Sequence, residues 1–104
     1  MSIDKVIRDG NVAVIFSPKF GAGWYTWNQE LPEIIFDPTI VHYIESKEFD
    51  KLQAYIDLKY PEAYMSHLDD LAIMWLPVGT EFKIDEYDGS ETIVLRKKVK
   101  WLKA

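Results

Sequence analysis

The chain contains no cysteine among its 104 residues. Disulfide bonds, thiolate zinc sites and cysteine nucleophiles are therefore excluded, and the composition suits a reducing compartment. The N-terminus has no basic region followed by a long apolar run, so we expect no signal peptide. The longest apolar run, residues 71–78, falls far short of the roughly 20 residues that a membrane helix needs. The sequence thus predicts a cytoplasmic protein without a membrane span.

Positive charge is scarce outside the C-terminus. The formal net charge is −5, yet residues 96–104 hold five basic side chains and no acidic one. The other 95 residues carry 17 acidic against 7 basic side chains, a net charge of −10. Such an acidic body disfavours direct contact with nucleic acid. The basic end could still touch phosphate, but we favour an exposed strand end with Val99 and Trp101 turned inward.

Length and composition predict one ordered domain that spans residues 1–104. The chain is 48% hydrophobic and 14% aromatic, and it contains only 5 glycines and 5 prolines. A chain of this size buries a single core and is too short for two domains. No repeat, linker or low-complexity tract divides it.

Local signals predict two helices and about five strands. Asp37-Pro38 marks a helix start, because an acceptor at the cap precedes Pro at the first helical position. Ser46 can cap a second helix that ends near Lys59. Strands are predicted at residues 12–16, 34–36, 71–76, 82–85 and 92–96, the last three as an antiparallel meander. The order β-β-α-α-β-β-β indicates an α+β fold with a mainly antiparallel sheet and two helices on one face.

Two glycines and three aromatic residues are crowded into residues 21–28, Gly-Ala-Gly-Trp-Tyr-Thr-Trp-Asn, here called the Gly-aromatic segment. A dinucleotide-binding fingerprint would require a third glycine at position 26, which is threonine. The lysine of a P-loop is also missing. Both phosphate-binding motifs are excluded, and we expect no cofactor.

Two interpretations of the Gly-aromatic segment remain open. Glycine N–H groups can approach an anion, tryptophan and tyrosine rings can stack on a planar base, and an asparagine can read a base edge. The candidate ligand-binding residues are therefore Gly21, Gly23, Trp24, Tyr25, Trp27 and Asn28. Alternatively, both tryptophans pack into the core while the glycines permit a tight turn.

A second candidate surface is the acidic hairpin predicted near the C-terminus. Its candidate partner-binding residues are Asp85, Glu86, Tyr87, Asp88 and Glu91. Their spacing lacks the alternating oxygen ligands of a calcium loop. They form either a solvated hairpin or an acidic face that docks on a basic protein in imitation of DNA.

The two histidines offer little for catalysis or metal binding. His42 and Glu45 lie three residues apart on the first predicted helix, but two further ligands are not evident, so we expect no metal site. His67 with Asp69 could act as a general base, because a carboxylate can orient an imidazole. No serine stands in a strained nucleophile turn, so the sequence favours a non-catalytic protein.

Several segments together resemble a group of small acidic proteins of tailed-phage genomes that carry no assigned activity. The resemblance spans about residues 10–95 and rests on these stretches: Ser17-Pro18, the Gly-aromatic segment, Phe36-Asp37-Pro38, residues 77–82 (Pro-Val-Gly-Thr-Glu-Phe) and residues 85–91 (Asp-Glu-Tyr-Asp-Gly-Ser-Glu). It implies a phage accessory protein that acts in the bacterial cytoplasm, against host defences.

These observations lead to three functional hypotheses. The first is a binding protein that holds a nucleotide-like small molecule with its Gly-aromatic segment. The second is a protein–protein inhibitor that uses the acidic hairpin against a host factor. The third is a small hydrolase that uses His67 and Asp69. A pocket in so small a domain could need a second subunit to close it, with Val99, Trp101 and Leu102 as the contact.

Overall fold

The structure is a computed structural model that describes residues 4–19, 23–64, 67–96 and 103–104. In these residues five antiparallel strands and two α-helices are present, which confirms the predicted α+β class. The strands are β1 (Ile7–Arg8), β2 (Asn11–Phe16), β3 (Ala72–Pro77), β4 (Phe82–Tyr87) and β5 (Ser90–Leu95). The helices are α1 (Pro38–Glu45) and α2 (Phe49–Lys59), accompanied by short 3-10 turns at Pro32–Ile35 and Leu68–Asp70.

Strand β2 is the centre of a three-stranded sheet in the order β1-β2-β3. It pairs with β3 along its whole length, from Asn11 opposite Pro77 to Phe16 opposite Ala72. Residues 12–15 are all buried, as the sequence predicts for a strand covered on both faces. The core is therefore built around this strand.

Strands β4 and β5 form a separate two-stranded sheet, so the predicted meander of the last three strands is wrong. Within the described residues, β3 pairs with β2 and β4 pairs with β5. The connection after Pro77 folds back on the first sheet, where the Val78 N–H donates to the Gly10 carbonyl at 2.9 Å. The Thr80 N–H donates to the Pro77 carbonyl at 3.0 Å. This anchored turn redirects the chain instead of forming a tight hairpin.

The β4–β5 hairpin itself agrees with the sequence. Asp88 and Gly89 have φ angles of 50° and 84°, the positive values that a two-residue type I′ turn requires. Because side chains alternate along a strand, one face of β4 is directed at the rest of the domain. This face carries Phe82, Ile84 and Glu86, whereas Lys83, Asp85 and Tyr87 occupy the outer face.

Residues 34–36 do not form the predicted strand. They belong to the 3-10 turn and its end, in which the Phe36 N–H donates to the Glu33 carbonyl at 3.1 Å. Ile34 and Ile35 are buried, as they would be in a strand, although the backbone forms a 3-10 turn. A run of three apolar residues does not define a period, so burial alone could not select a strand. The two strands that precede the helices are instead β1 and β2, which pair with each other.

Helix α1 begins as predicted at Asp37-Pro38. One carboxylate oxygen of Asp37 accepts from the Thr39 and Ile40 N–H groups at 2.8 and 3.3 Å. Helix α2 ends at Lys59 as predicted, but Ser46 does not cap it; this residue ends α1 and donates its hydroxyl to the Glu48 carboxylate. In the part of the chain that the structure describes, no helix has the length and apolar character needed to cross a membrane.

The second oxygen of Asp37 joins the two helices. It accepts from the Tyr55 and Tyr60 hydroxyls at 2.8 and 2.7 Å and from the Lys59 ammonium at 3.0 Å. Burial would raise the pKa of Asp37, but hydrogen bonds from Tyr60, Tyr55 and Lys59 outweigh it and hold the pKa below its usual value. Burial and the bond to Asp37 raise the pKa of Tyr60. The Asp37 carboxylate thus caps helix α1 and connects it to helix α2.

Candidate functional site

Trp24 is a core residue. Its side chain is 1% exposed, and its indole N–H donates to the Ile34 carbonyl at 3.3 Å. The structural interpretation of the Gly-aromatic segment therefore applies to this tryptophan. Gly21, its first candidate residue, and the predicted subunit contact at Val99, Trp101 and Leu102 all lie outside the described residues.

Gly23 permits a close approach, but the group that it admits belongs to the same segment. A Cβ atom at this position would lie 2.6 Å from Cδ1 of Trp27 and 2.5 Å from Oγ1 of Thr26. Both distances are shorter than non-bonded contacts allow, so only glycine fits without a shift. The glycine thus lets the Trp27 indole lie against the backbone.

Asn28 uses its side chain to hold two loops together. Its amide group donates to the carbonyls of Trp24 and Tyr64 at 2.8 and 2.9 Å, and its carbonyl accepts from the Tyr64 N–H at 2.7 Å. Both amide hydrogens are engaged, and the residue is buried. Asn28 is therefore occupied in the fold and is not positioned to read a base edge.

Trp27 differs from Trp24 because it is fixed in place and yet reaches solvent. The side chain is 39% exposed, and its indole N–H donates to the Glu86 carboxylate at 3.1 Å. Its ring packs on Tyr64, which is 54% exposed, with 4.9 Å between ring centroids. A hydrogen bond and a ring contact thus hold an accessible aromatic surface in one orientation.

The predicted acidic face of the hairpin is divided by the structure. Glu91 is only 2% exposed, so it is not available to a partner, contrary to expectation. Its carboxylate accepts from the Ser17 and Thr26 N–H groups and from the Thr26 hydroxyl, each at 2.8 Å. Glu86 is exposed beside Trp27, and the remaining candidates, Asp85, Tyr87 and Asp88, are exposed on the outer face and at the turn.

A cleft of about 430 Å³, here called the Tyr25 cleft, lies between the 3-10 turn Pro32–Ile35 and strand β4. Phe36 and Phe82 meet edge to face there at 6.4 Å, and the Lys5 ammonium lies 4.5 Å from the Phe36 ring centroid. The lining residues are Tyr25, Gln29, Pro32, Ile35, Phe36, Phe82, Lys83 and Ile84. The sequence predicted only Tyr25 as a ligand-binding residue of this cleft, because Phe36 and Phe82 are 46 positions apart in the chain. The alternation that turns Phe82 and Ile84 inward is the one sequence signal for the other lining residues.

A second cleft of about 430 Å³, here called the Trp27 cleft, lies beside the exposed tryptophan. Its lining residues are Thr26, Trp27, Asn28, Gln29, Glu30, Leu31 and Glu62. Two of these side chains are acidic and none is basic. The two clefts share Gln29 but differ in charge, since Lys83 is the charged residue that lines the Tyr25 cleft.

His67 and Asp69 come together as the sequence suggested, with Asp70 beside them. Their possible ligand atoms all lie within 4.8 Å of one another, and Lys19 lies 3.4 Å from Asp70. The His67 and Asp69 side chains are exposed, and Asp70 is partly buried. The Ser46 and Ser90 hydroxyls donate to the Glu48 carboxylate and the Pro18 carbonyl.

His42 is exposed, and its Nε2 atom lies 3.9 Å from a carboxylate oxygen of Glu48. The Glu45 carboxylate receives two hydrogen bonds of 2.7 Å from the Arg8 guanidinium. In the described part of the chain, two of the clefts share Gln29, one aromatic with a lysine and one acidic with a tryptophan. A comparison of the chain with protein families, characterised proteins and solved structures finds no match.

Proposed function

We propose that this protein is a non-catalytic binding protein that holds a nucleotide-like molecule in the Tyr25 cleft. The cleft itself carries the proposal: its volume of about 430 Å³ falls within the range of small-molecule sites. Apolar and aromatic side chains dominate the lining, and a few polar groups are placed among them. This is the composition of sites that bind a flat ring and orient it with one or two polar contacts.

The aromatic residues of the cleft suit a planar base. Tyr25 is the member of the Gly-aromatic segment that lines it, while Trp24 and Asn28 are engaged in the fold. Base stacking on an aromatic side chain contributes about 1–3 kcal/mol per base and tolerates any base. The ligand therefore contacts Tyr25, Phe36 and Phe82 rather than the tryptophans.

The charges at the cleft suit an anionic substituent. Lys83 is among the lining residues, although its side chain starts on the outer face of β4, and the Lys5 ammonium lies over the Phe36 ring. Lys83 also lies 3.6 Å from Asp85, but both side chains are largely exposed. Such surface ion pairs are weak, so a phosphate group can take over the lysine.

The resemblance to tailed-phage proteins supplies the setting of the proposal. A binding protein without turnover would act by sequestering its ligand, and in an infected cell that ligand would be a signalling nucleotide of the host. The protein would then act in the host cytoplasm. This setting does not depend on the geometry of the cleft. Ligand binding in the cleft can therefore be correct even if the setting is wrong.

A titration followed by NMR tests the proposal. Adenosine monophosphate, with adenosine for comparison, and a panel of cyclic and ADP-ribose-type nucleotides are added to the isotope-labelled protein. We expect saturable shifts at Tyr25, Phe36 and Phe82, and tighter binding of the phosphate-bearing member of each pair. The absence of saturable shifts with every nucleotide at millimolar concentration would refute the proposal.

A charge variant tests the part of the lysine. Lys83→Gln is expected to lower the affinity for adenosine monophosphate about threefold, since one exposed ion pair contributes up to about 1 kcal/mol. The affinity for adenosine should not change. Lys51→Gln, on the exposed side of helix α2, is the matched control and should change neither. Equal losses in both variants would assign the effect to net charge.

A further inference from the structure

The Trp27 cleft carries negative charge that no described residue neutralises. Glu30 and Glu62 line it, and the ion pairs among the described residues involve neither of them. Glu86 adds a third carboxylate at the indole N–H of Trp27. In contrast, the exposed Glu45 and the partly buried Glu48 pair with Arg8 and Lys51. The carboxylates around Trp27 are therefore available to a cationic group of another molecule.

Trp27 is suited to anchor a partner because its orientation is set before binding. Gly23, Tyr64 and Glu86 each restrict the indole, through the backbone contact, the ring contact and the hydrogen bond described above. Residues that dominate binding energy in protein interfaces are enriched in tryptophan, tyrosine and arginine. A side chain that is already immobilised loses little rotamer freedom on binding.

We propose that an aromatic–acidic surface binds a basic segment of another protein and that an arginine of this segment enters the Trp27 cleft. The surface consists of Trp27, Tyr64, Glu30, Glu62 and Glu86. A guanidinium stacks on an aromatic face and donates to carboxylates in its own plane, which a compact ammonium cannot do in the same way. This goes beyond ligand binding at the Tyr25 cleft and does not depend on it.

Charge complementarity selects this occupant over others. A nucleic acid would meet a surface of three carboxylates on a protein of net charge −5. A nucleotide would meet the same repulsion at the Trp27 cleft, where no lining side chain is basic. A second copy of the chain is the remaining competitor, because residues 96–104 contain five basic side chains.

Three peptides of equal length test the proposal: hexa-arginine, hexa-lysine and hexa-citrulline. Binding is followed through the indole N–H resonance of Trp27, assigned with Trp27→Phe. We expect saturable shifts with hexa-arginine, about threefold to tenfold weaker binding of hexa-lysine, and none with the uncharged hexa-citrulline. The affinity should also fall steeply as salt is raised. Equal affinity for hexa-arginine and hexa-lysine would overturn the arginine anchor, and no shift at Trp27 would overturn the site.

A matched pair of double variants separates the site from overall charge. The double variant Glu30→Gln, Glu62→Gln is expected to bind hexa-arginine about tenfold more weakly. Asp50→Asn with Asp57→Asn removes the same charge from the exposed side of α2 and should weaken it less than twofold. Equal losses in the two double variants would overturn the proposal.

The competitor and the ligand site are tested with the same proteins. Light scattering should find the protein alone to be monomeric; dimers that the Glu30→Gln, Glu62→Gln variant abolishes would assign the surface to a second copy and overturn the proposal. This variant should bind adenosine monophosphate as the unmodified protein does. The two proposals can therefore fail separately.

Discussion

Glu91 and Thr26 are joined through a single carboxylate oxygen, which accepts from both the N–H and the hydroxyl of Thr26 at 2.8 Å. The other oxygen of Glu91 accepts from the Ser17 N–H, and the Glu91 N–H donates to the Ser17 carbonyl at 2.6 Å. One buried acid thus connects the β4–β5 hairpin to the end of β2 and to the Gly-aromatic segment. Because Glu86 lies directly opposite Glu91 across the hairpin, this arrangement also tolerates two like charges side by side.

We predict that Glu91→Gln lowers the free energy of unfolding by about 2–3 kcal/mol, because an amide NH₂ group would face N–H and O–H donors. Relief of the repulsion by Glu86 offsets part of this loss. Urea denaturation measures the effect. Glu86→Gln is the matched control on the neighbouring strand and should cost less than about 1 kcal/mol, since its side chain is exposed. Similar costs for both variants would contradict the structural role assigned to Glu91.

Gly23→Ala is predicted to destabilise the protein by about 1–3 kcal/mol and to displace the Trp27 indole, because the new methyl group has no room. The hydrogen bond from Trp27 to Glu86 should be lost, which shifts the indole N–H resonance. The clash is tested by repeating the substitution in a Trp27→Ala background, where we expect a smaller cost; part remains because of Thr26. An identical cost in both backgrounds would mean that the indole does not rest on Gly23.

The fold was predictable where the signal is local. Asp37-Pro38 specifies a helix start through a cap and a fixed φ, and Asp88-Gly89 specifies a tight hairpin through positive φ angles. Strand pairing was not predictable in the same way, because it depends on the path of the chain after each turn. The connection that follows Pro77 is anchored to Gly10, nearly 70 positions away, and no local pattern contains that contact.

The candidate sites, too, were predictable only where the signal is local. Residues 21–28 drew attention through glycines and aromatic rings, but composition could not tell the buried Trp24 from the exposed Trp27. Glu91 looked like one more solvated acid of the hairpin, since its backbone donors are 65 and 74 positions away. Burial of a charge becomes possible only when such donors converge, and this convergence is a property of the tertiary structure.

Asn28→Ala distinguishes a structural asparagine from a ligand contact. We expect a loss of about 2–3 kcal/mol in the free energy of unfolding, because two carbonyls and one N–H lose their partners. Gln29→Ala, at the next position, is the control and should cost less than about 1 kcal/mol, since its amide makes one bond of 3.3 Å. Unchanged stability together with weaker nucleotide binding would instead assign Asn28 to the ligand.

Asp37 should make stability fall at acid pH. The pKa of Asp37 is lower in the folded protein than in the unfolded chain, because the hydrogen bonds from Tyr60, Tyr55 and Lys59 outweigh burial. A carboxyl group of this kind stabilises the fold above its unfolded pKa of about 4, and the contribution disappears as pH falls through the folded pKa. The free energy of unfolding should therefore decline as pH falls below about 4.

Asp37→Asn tests this assignment by urea denaturation between pH 3 and pH 7. At neutral pH the variant should be less stable by about 2–3 kcal/mol, since the amide cannot accept all five hydrogen bonds at this side chain. The stability difference should shrink as pH falls, because protonation removes the charge that the substitution removes. Asp57→Asn, an exposed position on α2, should follow the unmodified protein at every pH. A constant difference between Asp37→Asn and the unmodified protein would show that the Asp37 carboxylate does not cause the acid dependence.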